Sequence, residues 1–209
     1  LLKLLNIIIY NMDKIFTNIY EHSTWGNNNN SHYKGSSGSG SSIDYNIKHY
    51  VPFLKNYILK KNIRSIVDLG CGDFKCGTSI YNGLNISYCG YDIYKKVILH
   101  NQLLMPNYTF ITSDFYKDKE NLIKADLCIL KDVLQHWPLE YIYSFMDYLI
   151  ESKKYKYILI CNCCNQHKHN TNIQIGEWRA LNSNFFPLKK YSPIRLGFYN
   201  TKEISVITV

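Results

Sequence analysis

Residues 67–74, VDLGCGDF, place two glycines two positions apart directly after a short apolar run. Glycine lacks a Cβ, so Gly70 and Gly72 let the chain turn sharply at a strand end and let a ligand approach the backbone closely. The helix expected next would offer free amide donors to a polar or anionic group. A dinucleotide fingerprint needs a further glycine three residues after Gly72, where Lys75 stands, which weakens a nicotinamide or flavin reading. Asp68, two residues before Gly70, suits a pocket that holds an ammonium group. Asp92 closes the second apolar run, where a carboxylate accepts both hydroxyls of a ribose. Asp114 closes the third, placed to accept from an adenine amino group with Phe115 beside the ring. One such Asp reads as a loop cap. Three acids at consecutive strand ends read as a nucleotide site.

A second group lies in residues 130–138, LKDVLQHWP. His136 titrates near neutral pH and can take the proton of a hydroxyl nucleophile. Asp132 can do the same, orient His136, or hold a sugar hydroxyl. The plainer alternatives are a helix cap for Asp132 and simple packing of His136 against Trp137. In residues 176–182, GEWRALN, Arg179 offers a planar fork for a carboxylate or phosphate, with a surface ion pair as the alternative. Trp178 and Trp25 are candidate stacking walls, or packing. Cys161, Cys163, Cys164, His167 and His169 are competent metal ligands, but paired C-x-x-C knuckles are missing, so a strand-end loop is favoured and no metal is expected.

These residues must be held by an alternation of helices and strands that begins at residue 43. Ile47, Val51, Leu54 and Ile58 fall at helical spacing, with Pro52 expected to kink that helix or start a second. IRSIVDLG, NISYCGYDI, YTFITSDF, ADLCILKDVL and YKYILICNCC read as five strands, with helices at YKKVILHNQLLM and, after Pro138, at PLEYIYSFMDYLIESK. RLGFYN and KEISVITV read as a closing antiparallel pair. The pattern implies parallel βαβ units in a doubly wound α/β sheet. Residues 27–42, NNNNSHYKGSSGSGSS, have linker composition. Their NNNN half is expected to be slack and their SGSGSS end to fold over the ligand pocket, with Ser41 or Ser42 capping the next helix or touching the ligand.

With TWG at 24–26, SGSGSS at 37–42, DLGCGDF at 68–74, DVLQHW at 132–137 and GEWRALN at 176–182, the chain resembles class I S-adenosylmethionine-dependent methyltransferases. More narrowly, it resembles a small bacterial and viral group carrying these motifs, over a stretch from about Phe16 to the C-terminus. FKC after Asp73 and the NNNN insertion depart from the group's pattern. The resemblance implies a Rossmann-like sheet of order 3-2-1-4-5-7-6 and S-adenosylmethionine as cofactor. Asp68, Gly70 and Gly72 would serve its amino-acid end, Asp92 the ribose, and Asp114 and Phe115 the adenine, with Cys71 and Ile93 also in the cofactor site. Lys131, Trp25, Ser41 and Ser42 would complete that site. Asp132 and His136 would act on the acceptor, with Arg179, Trp137 and Trp178 binding it.

The division expected is an N-terminal segment with its Gly/Ser lid, residues 1–42, and a methyltransferase domain, residues 43–209. Residues 1–11 precede Met12 and read as translated upstream sequence rather than native protein. The opening apolar stretch is short and broken by Lys3, so no membrane segment is expected. Seven cysteines, an odd set lying partly in apolar runs, indicate a reducing, cytoplasmic compartment. The net charge of +8 is spread over scattered lysines with no basic block, which argues against a dedicated nucleic-acid stripe. The favoured acceptor is a small polar molecule such as a sugar or sugar nucleotide. An RNA-binding or RNA-modifying protein, and a cofactor-binding protein without catalysis, are the alternatives.

Overall fold

The computed structural model describes residues 11–165 and 171–209. The apolar runs become β1 (Ser65–Leu69), β2 (Ser87–Asp92), β3 (Thr109–Thr112), β4 (Ala125–Lys131), β5 (Tyr155–Cys163), β6 (Ile194–Tyr199) and β7 (Lys202–Thr208). They form a seven-stranded sheet of order β3-β2-β1-β4-β5-β7-β6, as expected. The first five strands pair in parallel. β7 runs antiparallel to β5 and closes on β6 as a hairpin.

Alternation along the strands loads both faces of this sheet. Val67 and Leu69 of β1, with Cys128 and Leu130 of β4, enter one core. Ile66, Leu127 and Ile129 enter the other. Among the described residues, six helices flank the sheet: α1 (Met12–Glu21), α2 (Ile43–Asn46), α3 (Tyr50–Lys60), α4 (Gly77–Tyr81), α5 (Lys95–Leu104) and α6 (Leu139–Glu151). α6 buries Ile142, Phe145, Met146 and Leu149 on one stripe, each contributing roughly 1.5–3 kcal/mol by leaving water. The opposite face is packed by α3 and α5, through Leu54, Ile58, Val97 and Ile98.

The helical run from residue 43 breaks at residues 47–49, not at Pro52. Pro52 lies in the first turn of α3, where its missing N–H removes no helix bond. Ser42 caps α2, its hydroxyl accepting the Tyr45 amide at 3.3 Å.

The NNNN stretch is not slack. Asn27 bridges Gly35, Asn28 donates to the Gly35 carbonyl, and the Asn30 side chain accepts from the amides of His32 and Tyr33. Asn side chains imitate backbone in such turns, so a polar run supplies its own order. Among the described residues no helix is long and apolar enough to cross a membrane, and all seven cysteines are free thiols.

Candidate functional site

A cavity of about 680 Å³ opens at the carboxyl ends of β1, β2 and β4. This is where the parallel strand order reverses around β1, the usual place for a ligand in an open α/β sheet. Gly70, Cys71, Gly72, Asp92, Ile93, Asp114, Phe115, Lys131, Asp132, His136, Trp137, Trp25 and Ser41 all line it. The two glycines adopt positive φ, and a Cβ on Gly70 would stand 2.5 Å from Val133 Cγ2, one on Gly72 2.4 Å from Ser37 Oγ. Larger residues would fill the cradle. The helix after the glycines begins only at Gly77 and has five residues, so the loop itself, not a helix N-terminus, faces the cavity.

Asp92 is buried and accepts the Gly72 amide through Oδ2 and the Tyr94 amide through Oδ1, both at 3.0 Å. Burial raises its carboxyl to about 6 despite these hydrogen bonds. Asp114 accepts the Lys117 amide through Oδ1. Its Oδ2 is buried without a hydrogen-bond partner, the Lys117 ammonium lying 3.3 Å away but out of alignment. Phe115 is buried and stacks at 5.7 Å on Trp137.

At the other end of the cavity, Asp132 sits at the tip of β4 with φ +60, a left-handed conformation that Asp tolerates better than most residues. Its Oδ2 accepts from Lys131 at 2.7 Å and from Lys202, the first residue of β7. Both ammonium groups also donate to the Gly40 carbonyl, each at 3.0 Å. Burial alone would raise the Asp132 carboxyl, but the two lysines hold it below the usual range. Its Oδ1 is buried and unpartnered.

His136 lies beside it. Nδ1 is 2.9 Å from the Glu177 carbonyl, which can only accept, so Nδ1 carries the proton and Nε2 keeps its lone pair. The Gln135 amide nitrogen lies 3.4 Å from Nε2, and the Trp25 ring centroid is 4.8 Å from the imidazole. Burial lowers the His136 pKa, so the ring is neutral at neutral pH. A neutral imidazole whose Nε2 lone pair is held only by the long contact from the Gln135 amide is a competent base once an acceptor displaces that contact.

Four expected site residues lie elsewhere. Asp68 faces an adjoining cavity of about 490 Å³ that shares Ser41, Gly70, Cys71 and Lys131 with the first. Its carboxylate accepts from Tyr88 at 2.9 Å, and burial raises it to about 6. Ser42 is spent on the α2 cap. Trp178 is 42 % exposed and walls neither cavity. Arg179 makes no surface ion pair: it is buried, and Nη1 donates to the Trp137 carbonyl at 2.7 Å. The GEWRALN segment is laced to the DVLQHW segment, Gly176 and Arg179 donating backbone N–H to the His136 and Gln135 carbonyls. The cysteine-rich candidate set includes His167 and His169, which lie outside the described residues. Among the described residues no three His, Cys, Asp or Glu are grouped to hold a metal.

Sequence reasoning missed Met12, Phe16 and Tyr20, which α1 brings to the cavity wall, together with Ser37, Tyr116 and Val133. Tyr20 hydrogen-bonds Ser37 at 2.8 Å, and the Ser37 hydroxyl accepts the Asp73 amide at 2.9 Å. The i, i+4, i+8 spacing of Met12, Phe16 and Tyr20 was the available signal. Lys202 had none, because its partner lies 70 residues away in sequence.

No family model and no curated protein sequence matches the chain, so its likeness to known proteins is one of fold. The magnesium protoporphyrin IX methyltransferase ChlM of Synechocystis PCC 6803, solved with bound SAM, superposes with a TM-score of 0.60 at 14 % identity, covering 93 % of this chain and 95 % of that one. The methyltransferase domain of bacterial CtHen1 gives 0.59 at 14 % identity, over 76 % and 97 %. Human N-acetylserotonin methyltransferase in complex with SAM gives 0.55 at 13 % identity, over 81 % and 59 %. The fold is thus that of class I methyltransferases.

Proposed function

We propose that this chain is an S-adenosylmethionine-dependent methyltransferase acting on a small polar acceptor, the favoured nucleophile being a hydroxyl of a sugar or sugar nucleotide. The observation that carries this reading is one cavity lined by Asp92, Asp114, Asp132 and a neutral His136, over a glycine cradle. The residues fit the cofactor. Asp92 retains lone pairs for ribose hydroxyls, Asp114 Oδ2, ion-paired with Lys117 but accepting no hydrogen bond, suits an amino group, and Phe115 supplies an apolar wall. Asp68, Ser41 and Lys131 surround the adjoining space, where an amino-acid end would find both charges answered. When bound, S-adenosylmethionine supplies an electrophilic methyl group.

The chain's own residues do the rest. His136 Nε2 takes the acceptor proton, while the Glu177 carbonyl fixes the tautomer through Nδ1. Asp132, kept ionised by Lys131 and Lys202, presents Oδ1 to a donor on the acceptor rather than taking up a proton. Trp25, Phe16 and Met12 screen the site from water. The alternative reading, an RNA-binding or RNA-modifying protein that uses its basic surface, would act on RNA instead; a 16S rRNA methylase, ArmA, also shares the fold, with a TM-score of 0.50 at 15 % identity.

Calorimetry and radiolabel transfer test this together. S-adenosylmethionine and S-adenosylhomocysteine are expected to bind and NAD to fail. Label from methyl-tritiated cofactor is expected in the small-molecule fraction of a cell extract, with His136→Asn losing about 10²–10⁴ in rate but keeping cofactor affinity. Label in RNA instead would replace the acceptor, and absence of cofactor binding would end the reading.

A further inference from the structure

Arg179 is 6 % exposed, in the turn laced to residues 135–137. Its Nη1 is tied to the Trp137 carbonyl, while Nε and Nη2 are buried with no hydrogen-bond partner. No ion pair among the described residues involves it, and residues 1–10 and 166–170 contain no Asp or Glu. Burial pushes the guanidinium down to about 10, so it remains charged at neutral pH. A buried cation without a counter-ion is unfavourable, and a fold that keeps one does so against its own stability.

The geometry of the unpaired atoms is specific. Nε–H and Nη2–H lie side by side on one edge of the planar guanidinium, matched to two oxygens of a carboxylate or phosphate. The bond from Nη1 to Trp137 fixes the plane of that fork. The carbonyl that holds Nη1 belongs to Trp137, which with His136 lines the large cavity, so the guanidinium is tied to a residue of the wall where the acceptor would sit. We propose that Arg179 receives a carboxylate or phosphate carried by the methyl acceptor, making the acceptor an anion. This rests on the methyltransferase reading and narrows its substrate class. Because both donors lie below the surface, entry requires the turn around Gly176 to move, and half-exposed Trp178 marks the outer side of that turn.

Inorganic phosphate and acetate are the probes, titrated separately into the full chain with and without S-adenosylhomocysteine while the Arg179 Nε–H resonance is followed by NMR. A saturable shift is expected, and the anion that produces it distinguishes a phosphate from a carboxylate acceptor. Affinity is expected to fall at least about tenfold in Arg179→Gln, and in Arg179→Lys, which keeps the charge but lacks the fork. Arg179→Met, free of the unpaired charge, is expected to melt no lower than the wild type. An Nε–H that ignores both anions, or an anion affinity unchanged in Arg179→Gln, overturns the assignment. So does an Arg179→Met variant that melts lower, since that marks a structural clamp on Trp137. Failure of the methyltransferase reading looks different: the wild type would not bind S-adenosylhomocysteine, whatever the anions do.

Discussion

Asp92 and Asp68 each carry a carboxyl raised by burial to about 6, against an unfolded value near 3.9. Between these values the folded chain holds protons that the unfolded chain has released. Their contribution to stability is therefore fully present below the unfolded value and is lost as pH rises through about 6. Cofactor binding has the opposite sign, because ribose hydroxyls and an ammonium group donate to the ionised carboxylates. S-adenosylhomocysteine affinity measured by calorimetry is expected to be on its plateau near pH 7 and to weaken below 6, by up to about tenfold per pH unit for each carboxylate. Asp92→Asn should bind more weakly at pH 7.5 and lose its share of that slope. A slope unchanged in the variant would remove Asp92 from the site. The acids were legible in the sequence because each lies at or near the end of an apolar run that becomes a strand. The division of labour proposed for Asp132 and His136 was not, since it depends on Lys202, which reaches Asp132 only once β7 has paired with β5.

At the scale of elements, the Gly/Ser stretch is a fitted strap. Linker composition was a fair reading, because a segment held through its backbone leaves no pattern of side chains to recognise. Here the Gly40 carbonyl takes two buried ammonium groups, Ser37 bridges Tyr20 of α1 to the Asp73 amide, and Asn46 donates to the Gly40 carbonyl at 3.0 Å. Gly35 is pressed against α1 so closely that a Cβ would stand 2.3 Å from the Tyr20 carbonyl oxygen. Backbone cannot yield there as a flexible side chain would. Gly35→Ala is expected to destabilise the protein by roughly 1–3 kcal/mol in denaturant melts and to weaken cofactor binding by displacing Ser37 and Ser41 from the cavity. Gly197→Ala, where a Cβ meets nothing within 4 Å, should stay within about 0.5 kcal/mol of wild type. Equal effects at the two positions would show that the contact with α1 is not what orders the strap.

For the molecule as a whole, the doubly wound α/β class was readable because local alternation of helix and strand, with an antiparallel finish, leaves few topologies open, while the strand order itself came from the resemblance to class I methyltransferases. The cavity's outer wall was not, since α1 and the strap are placed by long-range contacts: Met12 packs into one core of the sheet and Tyr20 into the other. That arrangement makes a ligand in the cavity a bridge between the N-terminal segment and the strands, through Tyr20, Ser37 and Ser41 on one side and Asp92 and Asp132 on the other. Binding to the folded state alone stabilises it by mass action, about 2.7 kcal/mol at a ligand concentration one hundred times Kd. For a chain of 209 residues this is expected to raise Tm by roughly 5–10 °C with S-adenosylhomocysteine and not at all with NAD. Hydrogen exchange should slow in α1 and residues 35–42 as much as in the glycine loop, because all three line the cavity the ligand would fill. Protection confined to residues 68–74 and 92–94, with the N-terminal segment exchanging as fast as before, would mean that the strap packs on the sheet without closing over the ligand.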